Sequence, residues 1–180
     1  LMSGYFNNPE ATARALDAEG WLDTGDMGFV ADGELYLTGR AKDVVIIRGA
    51  NHAPQEFEEC LERVEGLRTG CAVALGFTPE GENDEALLLL AEHEPGVEVE
   101  GLEERIREAV LAGTGVRAHT VRVLEPGTLP RTSSGKLRRS EALRRYLAGE
   151  LTAPKKVGTV GLVVEMAKSA LAFSRAGRGG

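Results

Sequence analysis

The chain has 180 residues, 42% hydrophobic and 27% charged, which is ordinary globular composition and enough length for one domain and part of another. A formal net charge of −7 argues against nucleic-acid binding, and no apolar run approaches the length needed to span a membrane. Cys60 and Cys71, the two cysteines, have neither metal nor redox spacing and read as buried free thiols in a reducing, cytoplasmic setting.

The chain opens on Leu1 without leader composition, as expected of a fragment of a longer chain. Residues 1–39 are rich in turn signals. Asp32-Gly33 between Phe29-Val30 and Leu35-Tyr36-Leu37 predicts a β-hairpin, because a two-residue turn there needs positive φ. Val44 to Ile47 is a β-branched run and predicts a buried strand. Pro54 suits the first turn of a helix, and Phe57, Cys60, Leu61 and Val64 follow on one helical face. Cys71 to Phe77 and Ala86 to Ala91 read as strands joined by a loop over Pro79 to Asp84. Leu102, Ile106, Ala109 and Val110 mark a second amphipathic helix, ended by Gly113 and Gly115. Thr120 to Leu124 is a further predicted strand, Gly127 to Gly135 a loop, and Ser140 to Leu147 a short basic helix.

These elements predict an α+β fold over residues 44–147: a small mixed sheet flanked by helices. Residues 1–39 read as a β-hairpin remnant of a preceding, larger domain, residues 40–43 as the connection, and residues 148–180 as a basic tail. From Leu151 the tail carries Lys155, Lys156, Lys168, Arg175 and Arg178 against Glu165 alone, and Val160, Val163, Val164, Ala167 and Leu171 share a helical face. A helix packed on another part of the protein or a linker is the simpler reading of that face; a membrane-surface helix is the alternative.

The sharpest motif is Thr132-Ser133-Ser134-Gly135-Lys136. Small residues and a glycine let backbone N–H groups approach an anion, and Lys136 adds a mobile point charge behind them. A Walker A loop is excluded: Pro130 stands where its first glycine belongs, and Leu137 where its Ser or Thr belongs. Alone, the motif is equally a flexible surface loop. It is accompanied by Trp21-Leu22-Asp23-Thr24-Gly25-Asp26 before the hairpin and by Gly39-Arg40-Ala41-Lys42-Asp43 after it. A carboxylate such as Asp26 on a turn can accept two hydrogen bonds from a vicinal diol, as ribose offers, and Arg40 can donate to the same sugar. The plainer alternatives are a turn-stabilising aspartate and a solvated charge run.

Together with Gly49-Ala50-Asn51-His52-Ala53-Pro54-Gln55-Glu56-Phe57-Glu58, these segments resemble the adenylate-forming superfamily of acyl-CoA synthetases, nonribosomal peptide adenylation domains and luciferases, from about Gly4 to Arg139. The resemblance implies that Asp26 and Arg40 bind the ribose of ATP, that Lys42 is the hinge between two domains, and that Lys136 is the catalytic lysine of adenylation. It implies supporting roles for Gly25, Gly49 and Gly135 in their loops. ATP and Mg2+ are the implied cofactors, bound mainly by a domain that precedes this chain, so that the fragment alone is expected to be inactive. The run from Arg40 to His52 followed by Pro54-Gln55 is most similar to the fatty acyl-AMP ligases, although Ala53 stands where that subgroup is expected to carry an aromatic residue. That similarity implies transfer of a fatty or other acyl group to the phosphopantetheine thiol of an acyl carrier protein. An acyl-CoA synthetase using free coenzyme A, and a detached non-catalytic C-terminal module, are the rival readings.

Three further features are set aside or left open. Gly113-Thr114-Gly115-Val116-Arg117-Ala118 ends a helix and does not join a strand to a helix, so it is no dinucleotide loop. His52, His93 and His119 lack metal-ligand spacing. Arg138, Arg139, Arg144 and Arg145 form a basic cluster that reads equally as a contact for an acidic carrier protein and as a solvated helix face.

Overall fold

The computed structural model describes residues 2–153; the tail face from Val160 to Leu171 lies outside the described residues. Helix α1 (Pro9–Ala15) is followed by the hairpin β1 (Asp26–Ala31) and β2 (Glu34–Arg40), then the short ribbon β3 (Val45–Ile47) and β4 (Ala50–His52), helix α2 (Pro54–Leu61), strands β5 (Leu67–Phe77) and β6 (Ala86–His93), helix α3 (Leu102–Thr114), strand β7 (Thr120–Leu124) and helix α4 (Arg139–Leu147).

The central sheet has the order β5-β6-β7. Its first pair is antiparallel and its second parallel. A parallel pair needs a crossover, which α3 supplies. Strand β6 is buried on both sides: Leu87, Leu88, Leu89, Leu90 and Ala91 are each at most 1% exposed. This is why its sequence is a continuous apolar run and not an alternating one. Leu87, Leu89 and Ala91 face Phe57 and Leu61 of α2 and Ile106 and Val110 of α3. Leu88 and Leu90 face the opposite layer, built from Leu129 and Ala142 of α4. Each of the fully buried leucines contributes about 1.5–3 kcal/mol of transfer free energy. The expected α+β class, a small mixed sheet flanked by helices, is what the chain adopts.

The hairpin turns as expected, with Asp32 at φ 52 and Gly33 at φ 79. Several elements differ from their sequence-based expectations. Val45 is buried, but Ile46 is 45% exposed, because β3 belongs to a separate two-stranded ribbon and not to the main sheet. Its turn, Arg48-Gly49, has positive φ at both residues and reverses the chain at once. Helix α2 stops at Leu61, and Val64 lies in the following turn, its N–H donating to the Leu61 carbonyl at 3.1 Å. Gly113 does not end α3 but lies within it. A Cβ there would stand 2.5 Å from Cys60 Sγ, so this glycine admits α2 against α3. The stop is Gly115, left-handed at φ 72, whose N–H reaches the Leu111 carbonyl at 2.9 Å. Helix α1 had no counterpart among the expected elements. Asn8 caps it by accepting from the Ala11 N–H at 3.0 Å, with Pro9 in the first turn.

Candidate functional site

The Asp23 to Asp26 segment is organised by its own side chains. The Asp23 carboxylate accepts from the Gly25 N–H at 2.8 Å and the Thr24 hydroxyl from the Asp26 N–H at 3.2 Å. Gly25, at φ 70, then turns the chain into β1. The hairpin register sets Asp26 opposite Arg40, so the first residue of β1 faces the last of β2. Their side chains meet, Arg40 Nε to Asp26 Oδ1, at 3.1 Å. The Ala41 N–H closes the hairpin base on the Gly25 carbonyl at 3.0 Å.

This pair edges an open groove of about 660 Å³, lined also by Asp43, by Glu56 and Glu59 of α2, and by Arg139. Four carboxylates therefore face two guanidiniums. Such a groove offers acceptors to sugar hydroxyls, but it repels a triphosphate unless cations come from elsewhere.

The chain leaves the hairpin through a single turn, the Asp43 N–H donating to the Arg40 carbonyl at 3.1 Å, with Lys42 exposed at its apex. Beyond it the backbone is tied down. Arg139 reaches Asp43 at 3.6 Å and grips both oxygens of Glu58, at 3.1 and 2.6 Å. The Glu58 carboxylate also accepts from the Ala74 N–H of β5 at 3.0 Å. Burial pulls the Arg139 guanidinium down, but the Glu58 hydrogen bonds and the charges of Glu58 and Asp43 outweigh it, so its pKa lies above the ordinary arginine value.

Lys136 sits elsewhere, on a turn closed at its base by a bridge between Arg131 and Leu137. The Thr132 N–H donates to the Lys136 carbonyl at 2.8 Å, and the Lys136 N–H donates to the Thr132 hydroxyl at 3.0 Å. Gly135 takes φ 85 there. The Lys136 side chain is exposed, does not line the groove, and makes no hydrogen bond or ion pair among the described residues. Thus Asp26 and Arg40 are brought together, Lys42 and Asp43 adjoin them, and Lys136 stands apart. The loop approaching it is anchored inside: the fully buried Glu92 carboxylate accepts from the Leu129 N–H at 2.8 Å and pairs with Arg68.

The basic cluster is largely internal or neutralised. Arg139 belongs to the Glu58 and Asp43 contacts, Arg144 pairs with Glu141 and Glu150 at 3.0 Å, and Arg145 reaches Glu141 at 2.7 Å. Hydrogen bonds from Arg144 and Arg145 hold the Glu141 carboxyl down at about 2. His52, His93 and His119 lie in different places, and among the described residues no three metal-ligating side chains gather. Both thiols are free; Cys71 is buried and Cys60 half-buried. Sequence reasoning did not identify Asp43, Glu58, Arg131 or Glu92 as parts of the site.

No family model matches the chain. It is 44% identical over 150 residues to a protein of Caulobacter vibrioides provisionally named an acyl-CoA synthetase, covering 83% of this chain and 26% of that protein. It is 38% identical over 160 residues to the medium-chain-fatty-acid–[acyl-carrier-protein] ligase JamA of Moorena producens, covering 82% and 27%. A solved fatty acyl-adenylate ligase, from work on the E. coli and L. pneumophila enzymes, superposes with a TM-score of 0.68 at 38% identity, covering 83% of this chain and 26% of that one. The chain is homologous to part of the adenylate-forming ligases and has the fold of their C-terminal domain. Fatty acyl-AMP and acyl-carrier-protein ligases are among its relatives within that superfamily, and it spans about a quarter of their length.

Proposed function

We propose that this chain is the C-terminal part of an ATP-dependent ligase that activates a fatty or other carboxylic acid as an acyl-adenylate and passes it to the phosphopantetheine thiol of an acyl carrier protein. In this reading residues 1–39 end a large nucleotide-binding domain, 40–43 are the hinge, 44–147 are the mobile domain, and 148–180 form a tail or linker. The observation that carries it is the separation of two groups: the Asp26–Arg40 ion pair in an acid-rich groove, and, outside the lining of that groove, an exposed Lys136 whose side chain has no partner among the described residues.

The substrate carboxylate attacks the α-phosphate of ATP, and the bond to pyrophosphate breaks. Asp26 accepts from the ribose hydroxyls and Arg40 donates to the sugar, fixing the nucleoside. Lys136 enters between carboxylate and α-phosphate, where its charge offsets the negative charge gathering on both; its contribution is positioning and electrostatics. Magnesium bound with ATP would supply further charge neutralisation at the phosphates. Rotation about Lys42 then withdraws Lys136 and turns the β3–β4 face toward the acyl-adenylate, where the carrier thiol attacks the acyl carbonyl and AMP leaves. ATP dependence and two free thiols fit a cytoplasmic enzyme.

The test is Lys136→Ala in the complete ligase. Pyrophosphate exchange is expected to be abolished while transfer from supplied acyl-adenylate largely survives; exchange near the parental rate would sink the assignment. Charge reversal at Arg144 and Arg145 and a choice of acceptors sharpen the partner. Transfer to free coenzyme A in preference to carrier protein would favour the acyl-CoA synthetase reading, which the Caulobacter relative supports. The 180 residues alone are expected to be inactive, as a detached module would also be.

A further inference from the structure

The turn that carries Lys136 has no apolar anchor of its own. Every residue from Arg131 to Lys136 is exposed, and the first side chain packed against the core is Leu137. Its shape therefore rests on polar contacts that compete with water. Three of them converge on the lysine. Its N–H is taken by the Thr132 hydroxyl, its carbonyl by the Thr132 N–H, and the preceding carbonyl, of Gly135, accepts from Arg131 Nη1 at 2.8 Å. The other arm of the same guanidinium donates to the Gly70 carbonyl at 3.2 Å and lies 3.0 Å from Cys71 Sγ. One planar fork thus ties the turn to the rim of β5, in the central sheet.

We propose that Arg131, assisted by Thr132, is a positioning residue for Lys136: it fixes the Gly135–Lys136 peptide against the sheet so that the ammonium reaches the same point at each domain swing. The proposal rests on the reading of Lys136 given above. A lysine stem has four rotatable bonds, so its tip is placed only as well as the backbone that bears it. Misplacement by about 1 Å at a reacting centre can cost on the order of 100-fold. The chemistry required of residue 131 is also specific. A guanidinium bridges two carbonyls on different segments, whereas an ammonium at the end of a flexible chain supplies charge without the fork.

The experiment compares Arg131→Met, Arg131→Lys, Thr132→Val and Lys136→Ala in the complete ligase, measuring pyrophosphate exchange and transfer from supplied acyl-adenylate. Amide hydrogen exchange on the 180-residue chain accompanies it. Both Arg131 variants are expected to lower the exchange kcat by about 10- to 100-fold with KM for ATP little changed, and transfer should stay within about twofold. Thr132→Val should fall in the same direction. The Lys136 amide should exchange faster in Arg131→Met while the amides of β6 keep their protection, which separates a loosened turn from an unfolded protein. Parental pyrophosphate exchange in Arg131→Met, beside an inactive Lys136→Ala, would overturn the brace and leave the lysine assignment standing. Full rescue by Arg131→Lys would overturn it by showing that charge alone suffices, and equal loss of both half-reactions by showing a merely structural role. Activity surviving in Lys136→Ala would overturn the site reading and the brace with it.

Discussion

Leu35 and Leu89 both lie in β-strands, yet the first is 67% exposed and the second fully buried. The contrast extends to their regions. Helix α1 buries no residue, and the hairpin leaves Val30, Leu35 and Leu37 about as open as a surface polar residue. From Val45 to Ala142 the apolar residues close two cores, one on each face of the same three strands. The second region satisfies itself. In the first, the hairpin's backbone bonds are made while much of its apolar surface awaits a cover. In the proposed reading that surface would meet the larger domain; the groove edged by Asp26 and Arg40 is lined on its other side by Glu56 and Glu59 of α2 and by Arg139.

The strongest test of the contrast is truncation of matched leucines. Leu89→Ala is expected to cost about 2–5 kcal/mol, from lost transfer energy and the cavity left between α2, α3 and the sheet. Leu35→Ala in the same chain should change stability by less than about 0.5 kcal/mol. Urea or guanidinium melting of both variants decides the matter. A comparable loss at Leu35 would mean the hairpin is already covered in this chain.

The two regions also differ in how much the sequence disclosed. The hairpin was legible because Asp32-Gly33 is a local signal, but the turn alone would set Asp26 against Gly39; a register shift between Met27 and Gly28, which no local pattern announced, brings Asp26 to Arg40. The central sheet was legible through the run Leu87 to Leu90. Helix α1 was hidden although Asn8-Pro9 is a good helix start, because a helix that buries nothing has no apolar period to reveal it. The supports of the site were hidden for another reason: their partners are far apart in the chain. Arg139 and Glu58 are 81 residues apart, Arg131 and Gly70 61, and Leu129 and Glu92 37. No local pattern distinguishes Arg139, bound to two carboxylates, from its exposed neighbour Arg138. Lys136 could be named from its motif, but its distance from the groove is a property of the packing.

Between the regions, the contacts of Arg139 test where the proposed hinge ends. Arg139→Met leaves Glu58 and Asp43 without their cation in a half-buried setting, and about 1–3 kcal/mol of stability should be lost. The loss should appear in amide exchange around Asp43, α2 and α4, and leave the hairpin amides unchanged. If residues 40–43 are the hinge proposed above, freeing Asp43 in the complete ligase would lengthen it past Lys42, and the balance between the two half-reactions should shift. A proline at position 42 is expected to impair transfer while sparing adenylation. Equal loss of both half-reactions in that proline variant would argue against the hinge.

The smallest effect concerns pH, and it belongs to the second region alone. Glu141 is held at about 2 by hydrogen bonds from Arg144 and Arg145, whereas an unfolded glutamate titrates near 4.3. A folded-state value below the unfolded one means that the contribution is fully present above about pH 4.3 and is lost as pH falls toward 2. The end of α4 should therefore fray in acid before the β6 core opens, with its chemical shifts moving together with the Glu141 carboxyl. Glu141→Gln removes the titrating group, so that part of the acid profile should flatten while the hairpin's response is unchanged. If the α4 shifts in Glu141→Gln still moved over the same interval, another group would control the helix end, and the pairing of Arg144 and Arg145 with Glu141 would not be what holds it.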